Sequence, residues 1–263
     1  MFMFPQSMLL DLLTAAGVFA GLLVCLELWF FFGMRARERQ AEHPDQLATI
    51  QGATLGLLAL LLGFSFAMAM GRFSDREKLI IQEANAIGTV WLRCELLPEP
   101  ARQQVRDCLR QYTDQRVAFY DATEDASRKA ALADSEKLQG RMWMIFTQAA
   151  QDAPEFSEVL LPCLNELIDL HGSRVAAVRR HMPGMLLGLL LACSLVSVAS
   201  VGYGCGVAGK RNIVLTTALT FLIAGTLWAI IDMDHPRKGL IRVGQEPMLD
   251  LQRSLQTSAP ATK

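Results

Sequence analysis

Four runs of the chain are almost wholly apolar, and a charged middle separates them into two pairs. The runs are Leu12–Met34, Gln46–Gly71, Met182–Gly209 and Asn212–Ile231, and Glu27 is the one charged side chain within them. Each has the roughly 20 residues that a bilayer's hydrocarbon core demands of a spanning helix. No water is present there to pair with a free backbone, so a lone spanning segment must bond to itself as a helix. The pattern predicts an all-α integral membrane protein with four transmembrane helices and an extramembrane helical bundle between spans 2 and 3.

The polar middle also has a helical period. Ile80, Ala84, Ile87, Trp91 and Cys94 recur at spacings of four and three, an apolar seam on one helix face. No breaker separates this seam from the second run, so one long helix is expected to leave the membrane and continue to Leu97. Pro98 ends it, and Pro100 suits the start of the next helix. Val105, Leu109 and Tyr112 mark the seam of that next helix. Leu138, Met142, Ile145 and Ala149 mark a third, and Leu164, Ile168, His171, Val175 and Val178 a fourth, which Pro162 should start or kink. The expected division is a membrane hairpin over 1–73, with spans at about 10–34 and 48–72, and a bundle over 74–182. A second hairpin covers 183–234, with spans at about 183–208 and 212–232, and a tail runs over 235–263. Its last residues, Ser254 to Lys263, present no periodic apolar face and are expected to be disordered.

Composition refines this picture without redirecting it. The formal charge is −1, so no basic field points to nucleic acid. From Ser74 to His181 the count is 14 Lys/Arg against 17 Asp/Glu, a net of −3 spread along the segment, as on a solvated helical surface. Of six cysteines, Cys94, Cys108 and Cys163 lie in the middle with no C-x-x-C spacing, which reads as free thiols in a reducing compartment. Lysine and arginine flank the spans on both sides, so the thiols orient the chain: both termini and the middle are placed in the cytoplasm. Met1–Asp11 has no Lys or Arg, so the first span is expected to be retained rather than cleaved.

Few residues carry candidate chemistry. Gly204 to Gly209 spell G-x-G-x-x-G, but without the strand–turn–helix context of a dinucleotide site they read as the glycine-rich end of a span. The four histidines are too dispersed for a metal site by spacing, and His171, on an apolar seam, reads as a hydrogen-bonded core residue. No catalytic arrangement, cofactor or metal is called for, and the chain does not read as an enzyme. Glu27 needs a cavity, a partner or an arginine near the end of its span, such as Arg35. Gly52, Gly56, Ala59, Gly63 and Ala67 form a small-residue stripe that permits close helix packing. Leu62, Phe66 and Met70 lie on another line of the same helix, where they contact lipid or core, or constrict a pore on a symmetry axis. Glu83 flanks the first soluble seam and wants a polar partner, while Arg93 lies opposite.

Several blocks resemble the bestrophin-like domain family of bacterial membrane proteins: Gly63-Phe64-Ser65-Phe66, Glu83-Ala84-Asn85-Ala86-Ile87-Gly88, Leu92-Arg93, Leu96-Leu97-Pro98, and Asp232-Met233-Asp234-His235-Pro236-Arg237-Lys238-Gly239. The order of two spans, a helical middle and two spans is similar as well. The resemblance marks Gly63, Glu83, Asn85, Gly88, Arg93, Pro98, Asp232, Pro236 and Gly239 as motif positions. It implies a distant likeness to bestrophins, which are pentameric anion channels with a hydrophobic neck on the second span, and a bacterial inner-membrane location. No dense acidic clasp is evident, so calcium gating is not implied.

Three functions follow as expectations. The first is a homo-oligomeric channel, a pentamer by analogy, passing small inorganic anions along span 2 past Leu62, Phe66 and Met70, with Arg72, Arg76 or Lys78 drawing anions to its mouth. The second is a non-conducting, membrane-anchored interaction or sensor module. The third is a proton-coupled transporter using Glu27.

Overall fold

The structure, a computed structural model, describes residues 6–40, 44–152, 154–235 and 239–257. The helices are α1 (Gln6–Gln40), α2 (Pro44–Arg93), α3 (Ala101–Asp121), α4 (Asp125–Asp152), α5 (Ser157–Arg179), α6 (Gly184–Ala208), α7 (Ile213–Asp234) and α8 (Glu246–Thr257). Short 3-10 turns occur at Cys94–Leu96 and Pro154–Phe156, and no strand occurs among the described residues. Four stretches are long and apolar enough to cross a membrane, within Leu12–Arg37, Gln46–Leu96, Ser157–Ala208 and Ile213–Asp234. The chain is an all-α integral membrane protein and divides into two compact units, with α2 contributing to both.

The membrane unit comprises residues 1–73 and 181–242. Here α1 lies along α6 and also meets α7, around a core that includes Leu22, Leu26, Leu58, Leu62, Leu190, Val198, Ile223, Leu227 and Ile230. The α1–α6 contact is backbone to backbone. A Cβ on Gly202 would collide with the carbonyl of Leu26, and one on Gly206 with the carbonyl of Phe30; a Cβ on Gly33 would strike the carbonyl of Tyr203. Small residues allow this approach where no water drives helices together. The expected stripe on α2 behaves otherwise: nothing lies within 4 Å of a Cβ at Gly52, Gly56 or Gly63. Polar contacts tie α2 to α6 instead. Gln51 Nε2 donates to the Ser200 carbonyl at 2.5 Å, and Ser197 Oγ donates to the Thr54 carbonyl at 3.1 Å. Gly209, at φ +63°, ends α6 in the left-handed conformation, so the G-x-G-x-x-G run serves packing and helix termination.

The second unit comprises residues 74–180 and 243–263. Its core takes Ala84, Ile87, Trp91 and Cys94 of the expected α2 seam, together with Val105, Leu109 and Tyr112 of α3, and Ile80 is buried as well. On α4 the buried face is Ala131, Ser135, Gln139, Met142 and Phe146. That face keeps Met142 of the expected stripe and leaves Leu138, Ile145 and Ala149 at its margin. On α5 the buried set is Leu160, Cys163, Leu164, Leu167, His171 and Arg174, which keeps Leu164 and His171 of the expected seam and leaves Ile168, Val175 and Val178 half-buried. The inward polar side chains have partners there: Gln139 meets Tyr112 and Arg174 meets Glu83. Pro162 lies inside α5, which begins at Ser157.

Ser254 to Thr257, expected to be disordered, belong to α8. Met248 and Leu255 of α8 are buried against the bundle. Arg110 Nε donates to the Leu255 carbonyl at 3.0 Å and Gln252 Nε2 to Asp114 at 2.7 Å. The apolar face of α8 spans only a few residues, and the helix packs against α3.

Candidate functional site

On the membrane part of α2, Leu62 is buried in the unit's core, whereas Phe66 is 39% and Met70 45% exposed. Gly63 is exposed beside them. The basic residues that follow are engaged. Arg72 Nη1 sits 3.0 Å from Asp234 Oδ1. Buried Arg76 donates to the carbonyls of Ala177 (3.2 Å) and Arg180 (2.8 Å), satisfying the C-terminal end of α5. Lys78 remains exposed, 3.7 Å from Asp75.

Glu27 is ion-paired, but with Arg211 rather than Arg35: Arg211 Nη1 lies 2.7 Å from Glu27 Oε2. Arg211 also donates to Thr216 Oγ1 at 3.1 Å, while the Arg35 guanidinium stacks over Phe31. The partner comes from the α6–α7 connection, 184 residues away, beyond the reach of a local count.

The aspartates of the tail motif organise backbone. Asp232 accepts the amides of Leu240 (3.0 Å) and Ile241 (2.8 Å), and its carboxylate occupies the space a Cβ on Gly239 would need. Asp234 accepts the amide of Met182 at 2.9 Å as well as Arg72. His181 Nδ1 lies 3.1 Å from the Asp234 carbonyl, and its ring stacks on His235 at 5.4 Å. Pro236 falls outside the described residues. Among the described residues, no three His, Cys, Asp or Glu side chains are grouped to hold a metal.

The densest polar arrangement surrounds Glu83, which has no exposed side-chain surface. Arg174 Nη1 reaches Glu83 Oε2 at 2.6 Å. Arg116 Nε approaches Oε1 to 2.7 Å without its N–H aimed at the oxygen, and Arg116 Nη2 donates to Oε2 at 3.3 Å. Tyr112 donates its hydroxyl proton to Oε1 at 2.7 Å. That hydroxyl has one proton, so His171 Nδ1, 3.1 Å away, must donate to it. Gln139 Nε2 also donates to Tyr112 at 3.4 Å, and Arg174 Nη2 donates to Gln245 Oε1. Burial pushes the Glu83 carboxyl up, but the charges of Arg116 and Arg174 outweigh it and hold the group below the ordinary carboxylate range. Burial and then the Arg116 charge drop His171 to about 4, so it is neutral. Burial and Glu83 raise the Tyr112 phenol well above its usual value.

The other motif residues serve this helix region locally. Asn85 is exposed, Gly88 lies 3.9 Å (from a built Cβ) from Leu251, Arg93 donates to the Val159 carbonyl at 3.1 Å, and Pro98 accepts the Arg102 amide at 3.1 Å. Arg116 and Arg174 are central here and were not anticipated. Their signal was present: Arg116 continues the 105, 109, 112 spacing of α3, and Arg174 follows His171 by three on α5. A charge at a seam position needs a buried counter-charge.

Residues 18–248 match the Bestrophin-like domain family. No protein with a curated description matches the chain in sequence. Among solved structures, a single-substitution variant of a bacterial bestrophin homologue from Klebsiella pneumoniae superposes with a TM-score of 0.70 at 12% identity, covering 92% of this chain and 97% of that one. A second variant gives 0.68 at 12% identity, covering 90% and 97%. The zinc-phased structure of the homologue gives 0.66 at 13% identity, covering 90% and 96%. At such identities the likeness is one of fold. With 231 consecutive residues (18 to 248) matched, the chain belongs to the bestrophin-like domain family.

Proposed function

We propose that the chain forms a homo-oligomeric channel in which the membrane part of α2 lines a path for small inorganic anions. The carrying observation is the uncovered face of α2. Phe66 and Met70 are substantially exposed in the single chain, and Gly52, Gly56 and Gly63 have no neighbour within 4 Å of a Cβ position. A four-span chain has little interior for a water-filled path, so rotational symmetry would have to supply it. Phe66 and Met70 would form an apolar constriction of the kind that gates by dewetting. Leu62, already packed in the core, would support the wall at that end of the line. Since Arg72 and Arg76 are occupied by Asp234 and by the end of α5, Lys78 is the basic residue left to attract anions. The bundle and both termini would face the cytoplasm from a bacterial inner membrane, and a pentamer follows by analogy with bestrophins.

Purified oligomer in liposomes, assayed for halide flux over several voltages, tests this. Flux is expected, and Phe66→Ala should change conductance with the oligomer intact. Intact, correctly oriented oligomers without flux would overturn the channel and leave a non-conducting anchor or sensor. If flux is present, Glu27→Gln with an unchanged pH profile would exclude proton coupling through that carboxylate.

A further inference from the structure

The Glu83 centre is unbalanced in charge. One carboxylate faces two guanidinium groups, Arg116 and Arg174, and all three side chains are buried to at least 95%. The remaining members are neutral: Tyr112 keeps its proton, His171 carries one, and Gln139 and Gln245 are amides. Among the described residues, Glu83 is the one carboxylate within ion-pair distance of Arg116 or Arg174. The excess positive charge sits on a group with unused donors, because Arg116 Nη1 is buried and has no hydrogen-bond partner. The Phe119 ring, 5.2 Å from the guanidinium carbon, covers part of that group but accepts no conventional hydrogen bond.

A buried guanidinium requires both a hydrogen-bond acceptor and a counter-charge. Water at Nη1 would supply the first and not the second. We propose that the bundle of each chain binds one small monovalent inorganic anion of chloride size at Arg116 Nη1, completing the charge balance around Glu83. The site lies wholly within residues 74–180 and 243–263 and does not depend on whether the membrane unit conducts. His171 meets Tyr112 in the same cluster, and its Nε2 is another buried atom without a hydrogen-bond partner. With Nδ1 donating to Tyr112, Nε2 bears a lone pair, so the proposed anion takes its hydrogen bonds from Arg116.

The test uses the full chain in detergent at pH 7.5. Thermal unfolding is followed while sodium gluconate is replaced by sodium chloride or bromide at constant ionic strength. Chloride should raise the midpoint saturably by about 3 °C, as expected for ligand binding restricted to the folded state. Arg116→Met leaves Glu83 paired with Arg174 and removes the excess charge, so it should fold and lose the halide response. A halide response that persists in Arg116→Met places binding elsewhere, including in a pore, and overturns the site. A wild-type midpoint indifferent to the anion overturns it as well, with water left as the occupant. Should Arg116→Met not fold, crystals of the wild-type chain in bromide decide. An anomalous peak within hydrogen-bond distance of Arg116 Nη1 supports the site, and its absence refutes it.

Discussion

Glu83 Oε2 lies 2.6 Å from Arg174 Nη1, a contact between side chains 91 residues apart and both withdrawn from solvent. Together with Arg116 and Tyr112 it connects α2, α3 and α5 through one carboxylate. Such an ion pair is weak evidence for stability in itself, because desolvating two charges offsets most of their attraction. Its asymmetry matters more. Replacing Glu83 by Gln should remove the carboxylate that two buried guanidinium groups share and destabilise the bundle by about 3–5 kcal/mol. A large drop in the unfolding midpoint of the detergent-solubilised chain would register this. An unchanged midpoint would mean that Glu83 does not hold the bundle together.

His171 gives the bundle a pH dependence with a definite sign. Its folded value of about 4 lies below the ordinary 6.5, so in between the unfolded chain binds a proton that the folded chain does not. Its contribution is therefore complete above about pH 6.5 and is lost as the pH falls toward 4. The drop from 6.5 to about 4 sets a ceiling on the order of 3 kcal/mol. Melting from pH 7.5 to 5 should show a steeper loss for the wild type than for His171→Gln. Parallel curves would refute the assignment.

The glycines of α6 should respond to substitution unlike those of α2. Gly206→Ala puts a methyl against the Phe30 carbonyl and the Met34 amide. It should destabilise the membrane unit by about 1–3 kcal/mol through overpacking, despite alanine's better helix propensity. Gly56→Ala meets no atom of its own chain and should be neutral or mildly stabilising to the monomer fold. Thermal stability of the two variants in the same detergent compares them directly.

Asp232 anchors the chain after α7 by accepting two consecutive amides, Leu240 and Ile241. Asp232→Ala removes both acceptors at a cost of about 1–3 kcal/mol. Hydrogen exchange should accelerate at those two amides. Unaltered exchange there would show that they do not rely on the carboxylate.

The four spans and the seam from Ile80 to Cys94 could be read directly from residue order. Exclusion of water from the bilayer and the 3.6-residue period act on neighbours in sequence, and apolar side chains need no named partner. On α4 and α5 the count included Met142, Leu164 and His171, which are buried, but passed over Gln139 and Arg174. Whether a charged or amide side chain can turn inward depends on groups 27 to 91 residues away: Tyr112 for Gln139, Glu83 for Arg116 and Arg174. The choice of Gly202 and Gly206, not Gly52 and Gly56, as the close-packing pair, and of Arg211 as the partner of Glu27, was likewise made by folding. Burial and pairing of polar groups are properties of the assembled chain, since each costs free energy until its distant complement arrives.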